Sequence, residues 1–199
     1  MKFHKFISVI LHPIVIPTIG ILLYFILIQS NFNSNQKFAV LGLIFVTTYF
    51  IPLLILILFK RFKLIKSFKA DSIQERKIPI AMMIVLFYLL GNTLYGVTNL
   101  RDLGILFYAT TLGLVFIYIL FAFKIKTSIH LMSLGITSGF FFILNLIYNQ
   151  NLTIVIACSL LLSGILASAR LHLKAHTLQE VYLGFLLGFL SPIIVFYFL

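Results

Sequence analysis

Residues 103–123 read LGILFYATTLGLVFIYILFAF, a run without a single charged side chain. Wound as an α-helix it reaches about 31 Å, the thickness of the hydrocarbon core of a bilayer. Runs of the same kind lie on either side, at about 7–29, 38–59, 78–98, 130–148, 152–169 and 181–199. The sequence therefore predicts an all-α, polytopic membrane helix bundle of about seven transmembrane helices, forming one domain over 1–199. Polar and charged separators punctuate the runs: QSNFNSNQK after the first, KRFKLIKSFKADSIQERK after the second, NLRD after the third and YNQN after the fifth. Pro13, Pro17, Pro52 and Pro192 fall inside spans, where neighbouring helices take up the freed carbonyls. Met1 to Lys5 is basic and an apolar stretch follows, as in a secretory signal. That stretch runs on to about Ile28 without a small-x-small cleavage site, so it reads as a retained span.

Composition agrees. The 199 residues are 62% hydrophobic and 10% charged, with a mean hydropathy of +1.16. No soluble interior of this size could hold that much apolar surface. The remaining charge is one-sided, 15 Lys and Arg against 4 Asp and Glu, for a formal +11. Such a surplus suits phosphate headgroups. Nucleic acid is excluded as a partner, because little water-exposed surface is left to carry it. The single Cys158 lies in an apolar run, which excludes disulfides and cysteine-based metal sites.

Because each span switches sides, the N-terminus and the connections at 60–77, 124–129 and 170–180 share one face. All of the Lys and Arg lie there except Lys37 and Arg101. By the positive-inside rule that face is cytoplasmic. Gly135-x3-Gly139 and Gly184-x3-Gly188 permit close helix approach, within the chain or between chains.

Three groups of reactive residues sit on the basic face. In ARLHLKAHTLQE, residues 169–180, Arg170 precedes His176 by six positions and Glu180 follows it by four. At i,i+4 on a helix the carboxylate comes beside the imidazole, holds one ring nitrogen protonated and leaves the other free to attack. In KTSIH, residues 126–130, His130 is suited to proton donation near neutral pH and Ser128 to hydrogen bonding a phosphate oxygen. In KADSIQERK, residues 69–77, Lys69 and Arg76 can converge on one phosphate. Taken singly, each group also fits an interfacial segment that anchors in headgroups.

In order along the chain these read lysine-x6-arginine, serine-x-histidine, arginine-x5-histidine-x3-acid. The series resembles the pattern K-x6-RP, PSGH, SR-x5-H-x3-D of the type 2 phosphatidic acid phosphatase superfamily. These are integral membrane lipid phosphatases related to the vanadium haloperoxidases. The resemblance covers roughly residues 60–199 and implies a six-helix phosphatase core within the predicted bundle. Two spans separate each piece from the next, so all three return to one face. The resemblance implies that His176 attacks phosphorus and becomes a phosphohistidine, that Glu180 orients it, and that His130 protonates the departing alkoxide. Lys69, Arg76 and Arg170 would hold the nonbridging oxygens, with Ser128 adding a hydrogen bond. Cations can neutralise a transferring phosphoryl group without metal or cofactor, and no carboxylate cluster is present to bind one.

The chain departs from the pattern at Lys77, Thr127 and Ile129, where the family has proline, proline and glycine. It departs again at Ala169 for serine and at Glu180 for aspartate. Ile129 matters most, since close approach of a backbone N–H to phosphate favours a residue without a side chain. The expected function is a lipid phosphatase of a bacterial inner membrane, the motif face inward, with membrane lipids as surroundings. Its substrate would be a lipid phosphate such as phosphatidic acid, phosphatidylglycerophosphate or a polyprenyl phosphate. An inactive relative that binds lipid phosphate or a membrane partner is the first alternative. A small transporter is the second, opposed by the gathering of ionisable groups at one membrane edge.

Overall fold

A computed structural model describes residues 2–28, 32–65 and 72–199. Among the described residues there is no strand, and the chain is a helical bundle. In order the helices are α1 (Lys2–Ile10), α2 (Ile16–Leu27), α3 (Ser34–Phe45), α4 (Ile51–Arg61), α5 (Ile73–Tyr95), α6 (Arg101–Leu120), α7 (Ile129–Tyr148), α8 (Thr153–His172) and α9 (Leu178–Phe198). A π-helical turn at Val46–Phe50 joins α3 and α4 into one rod, Ser34–Arg61. Pro52 explains the turn: it has no N–H to offer the carbonyl of Thr48, and widening the register relieves the clash with that carbonyl. Among the described residues, six helices are long and apolar enough to cross a membrane, Ser34–Arg61, Ile73–Tyr95, Thr98–Leu120, α7, α8 and α9. The protein is thus of the integral membrane type, with side chains such as Phe38, Val85, Ile154 and Tyr197 exposed around its outside.

The first apolar run, expected as one helix over 7–29, is instead divided into α1 and α2. Pro13 disfavours helical geometry at His12 and supplies no N–H, and residues 11–15 form turns. Pro17 then falls in the first turn of α2, where a missing N–H costs nothing. Even so, the segment still runs from one end of the bundle to the other. His12 packs on His130 at the start of α7, while the Tyr24 hydroxyl donates to Asp102 at the start of α6.

α7 is the central element, with Leu134, Phe140, Phe141 and Leu144 among its buried residues. It packs most closely on α9, and both glycine pairs serve that contact within the chain. A methyl group built on Gly135 or Gly139 would overlap the Phe185 or Phe189 carbonyl of α9, and one on Gly188 the Met132 carbonyl of α7. At Gly184 it would lie 2.5 Å from the Ser128 carbonyl. Backbones in such contact gain dispersion energy that larger residues would forbid. Phe140, Phe141 and Leu144 share one core with Ile21, Ile44, Leu94, Leu103 and Phe107, which ties α2, α3, α5 and α6 to α7.

Candidate functional site

The geometry around His176 is set by two local devices in succession. α8 ends in a left-handed turn at Lys174, φ 51°, closed by Ala175 N–H donating to the Arg170 carbonyl at 3.1 Å and Lys174 N–H to that of Leu171 at 2.9 Å. This is the six-to-one, five-to-two pattern that stops a helix and reverses its direction. Thr177 then caps α9: its hydroxyl accepts from Glu180 N–H at 3.3 Å, and the Glu180 carboxylate accepts from Thr177 N–H at 3.3 Å. Threonine followed by glutamate three positions later is a capping box. The same carboxylate oxygen, Oε2, lies 2.7 Å from His176 Nδ1. One oxygen therefore starts the helix and holds the imidazole.

That double duty gives a physical reason for glutamate at position 180. From the third helical position its longer side chain reaches back to the cap and to the preceding residue together. The TLQE signature of the box is legible in residues 177–180, beside the spacing of Glu180 from His176.

His176 is 8% exposed. With Nδ1 on Glu180, His176 forms part of the wall of a cavity of about 260 Å³ that also holds Arg76, His130, Arg170 and His12. Burial lowers the His176 pKa to about 4, opposed by the hydrogen bond to Glu180 and assisted by the positive charge of Arg170. The imidazole is therefore neutral near pH 7, its proton on Nδ1 facing the carboxylate and a lone pair on Nε2. Arg76 lies close enough to act electrostatically on both His176 and Arg170. Beyond this polar end the cavity is bounded by Met83, Phe87, Phe107, Ile136, Phe140 and Phe141 among others. From His130 to Phe141 it follows α7 for roughly 17 Å.

The expected residues are not all placed alike. Arg76, His130, Arg170 and His176 meet at the cavity, and Glu180 stands behind His176. Lys69 lies outside the described residues. Ser128 is fully buried and is not part of the cavity wall. Its hydroxyl accepts from Leu131 N–H at 3.5 Å as the cap of α7, and its N–H donates to the Glu180 carbonyl at 3.1 Å. The start of α7 is in this way docked on the start of α9, which is what brings His130 to His176. Ile129, at the family's glycine position, contributes to the cavity wall beside His130.

Two participants were not foreseen. His12, in the break between α1 and α2, lies edge-on to His130 with ring centroids 5.0 Å apart. Ser8 on α1 accepts a hydrogen bond from Arg170 Nη1 at 2.8 Å. From the sequence Pro13 falls inside a continuous span, and His12 has no spacing relation to the other groups. Among the described residues, no group of three or more His, Cys, Asp or Glu is placed to hold a metal ion.

Chemically, a neutral imidazole backed by a carboxylate and faced by two guanidinium groups and a second histidine can receive, or attack, a tetrahedral oxyanion. No known protein family, no characterised protein and no solved structure matches the chain.

Proposed function

We propose that the chain is a metal-independent membrane lipid phosphatase acting on a phosphate monoester or pyrophosphate through a phosphohistidine. The observation that carries this reading is the two-part cavity. Its polar end holds Arg76, Arg170, His130 and His176, and the rest runs between apolar side chains along α7. That is the shape and polarity of an amphiphile with an anionic phosphate head. The order of motifs described above supports the same reading independently.

In the first step His176 Nε2 attacks phosphorus in line with the ester oxygen; the P–N bond forms as the P–O bond breaks. His130 gives its proton to the departing alkoxide. Glu180 keeps the Nδ1–H of the resulting imidazolium hydrogen-bonded, and Arg76 and Arg170 neutralise the equatorial oxygens. Lys69 joins them in the family pattern. In the second step water attacks phosphorus and gives a proton to His130, the P–N bond breaks, and inorganic phosphate leaves. Ser128 serves by fixing α7 against α9, so that His130 stands opposite His176. Phosphatidic acid, phosphatidylglycerophosphate and polyprenyl phosphates all present such a head.

One observation favours a second reading, binding of lipid phosphate without turnover: Ile129 places a branched side chain in the cavity wall where the family has glycine. A single experiment separates the two. Purified protein in detergent with a chelator is offered these lipids, and phosphate release is compared with that of His176→Ala. Release by wild type and not by the variant is the expected result; equal release on every substrate sinks the enzyme.

For location we propose a bacterial inner membrane with the site facing the cytoplasm, from the gathering of cations on that face. Single cysteines at Asn35 and Arg61 in a Cys158→Ala background test it. An impermeant thiol reagent applied to intact cells should label Asn35→Cys only, and labelling of Arg61→Cys would reverse the assignment.

A further inference from the structure

Ser8 and His12 precede every residue of the three-part pattern, yet His12 stands in the cavity wall and Ser8 touches Arg170 there. The Ser8 hydroxyl holds Arg170 by Nη1. The guanidinium Nε of Arg170 is buried with no hydrogen-bond partner in the described protein. The arginine is thus fixed from one side and retains an unused donor, a costly state unless an acceptor arrives.

His12 is prepared in another way. Ile14 N–H donates to its Nδ1 at 3.3 Å, an interaction available because Pro13 breaks the helix and turns the chain back on the ring. With the Nδ1 lone pair so engaged, the proton of the neutral ring sits on Nε2. The half-buried ring forms part of the wall beside Arg76, Arg170, His130 and His176. Its edge-to-face contact with His130 limits the orientations open to it.

We infer that His12 is a further phosphate-contacting residue, donating Nε2–H to a nonbridging oxygen, and that Ser8 is a positioning residue acting through Arg170. The inference rests on the cavity being a phosphate site; it does not require hydrolysis. α1 and the break after it then belong to the site, as a fourth element, Ser8-x3-His12, contributed by the first fifteen residues.

The test uses the full chain in detergent and orthovanadate, a phosphate analogue that also adopts five-coordinate geometry, with binding read by calorimetry. His12→Gln places an amide N–H near the position of Nε2, whereas His12→Asn places its amide near Nδ1. Loss of one hydrogen bond to an anion should weaken vanadate binding by about tenfold in His12→Asn, with His12→Gln within about threefold of wild type. Ser8→Ala should cost about three- to fivefold and Ser8→Thr restore it, because the hydroxyl is what holds Arg170. Equal affinities in the two His12 variants overturn the assignment of His12, whether both bind like wild type or both fail, through misfolding included. Unchanged binding in Ser8→Ala, or equal loss in Ser8→Thr, removes Ser8. If wild type binds no vanadate, the phosphate site and this inference fall together; binding without phosphate release leaves the inference standing and sinks only the enzyme.

Discussion

The two ends of the bundle each hold a half-buried carboxylate, and they use it differently. At the end remote from the cavity, Asp102 Oδ2 accepts from the hydroxyls of Tyr24 at 2.9 Å and Tyr148 at 2.6 Å. Three helices, α2, α6 and α7, are tied at one oxygen, and each of those donors belongs to the scaffold. At the other end Glu180 Oε2 engages Thr177 N–H and His176 Nδ1, and His176 forms part of a cavity wall. The same chemical group is a clasp where all its partners are structural, and an orienter where one partner has a second face open. Burial and hydrogen bonding alone therefore do not mark a reactive site. What sets the cavity end apart is a satisfied carboxylate whose partner also forms part of a cavity wall.

The largest effect expected from breaking this contrast is at His176 itself. On the proposed mechanism, His176→Ala should cut phosphate release by about 10³-fold or more, since the variant lacks the imidazole assigned to attack phosphorus. Next come the carboxylates, taken as a pair. Glu180→Gln keeps the capping box, because glutamine serves at that position, but removes the charge that stabilises the imidazolium. Activity should fall by about 10²-fold with little change in thermal unfolding. Asp102→Asn should do the reverse, costing about 1–2 kcal/mol of stability through weakened hydrogen bonds while leaving turnover within about twofold. If the two substitutions have the same profile, the distinction between clasp and orienter is wrong.

The smallest effect is one of pH. The folded state holds the His176 pKa near 4, below the ordinary 6.5, so the unfolded chain binds the proton more readily. This group's contribution to stability is present above about pH 6.5 and is lost as pH falls from there toward about 4. Thermal unfolding of wild type and His176→Gln in detergent should differ by an amount that shrinks across that window. A difference independent of pH would mean that burial does not disfavour the imidazolium.

The reading of 103–123 as a span carried over to the structure, with bounds moved to Thr98–Leu120, because hydropathy over twenty residues is a local property that lipid does not negotiate. The glycine pairs were legible as places of close approach. Which helices they join was not, because α7 against α9 is a matter of packing. Ser128 shows the opposite error of emphasis. Its spacing to His130 pointed to phosphate, whereas the structure employs it to cap one helix and dock it on another. The first run shows how a known signal can be underweighted: two prolines four residues apart divide a helix that hydropathy alone makes continuous.

What the sequence by itself determined was whatever depends on spacing along one segment. Apolar length specified the spans, the alternation of sides gathered the basic residues at one end, and an i,i+4 interval placed Glu180 beside His176. Only the tertiary structure decided what depends on distant segments meeting. Ser8 reaches Arg170 across 162 positions of chain, and His12 reaches His130 because the N-terminal helix breaks where it does. Such contacts follow from how rods of particular shape pack, from glycines that let α9 lie against α7 and prolines that turn α1 aside. That geometry has no period in the sequence from which to be read.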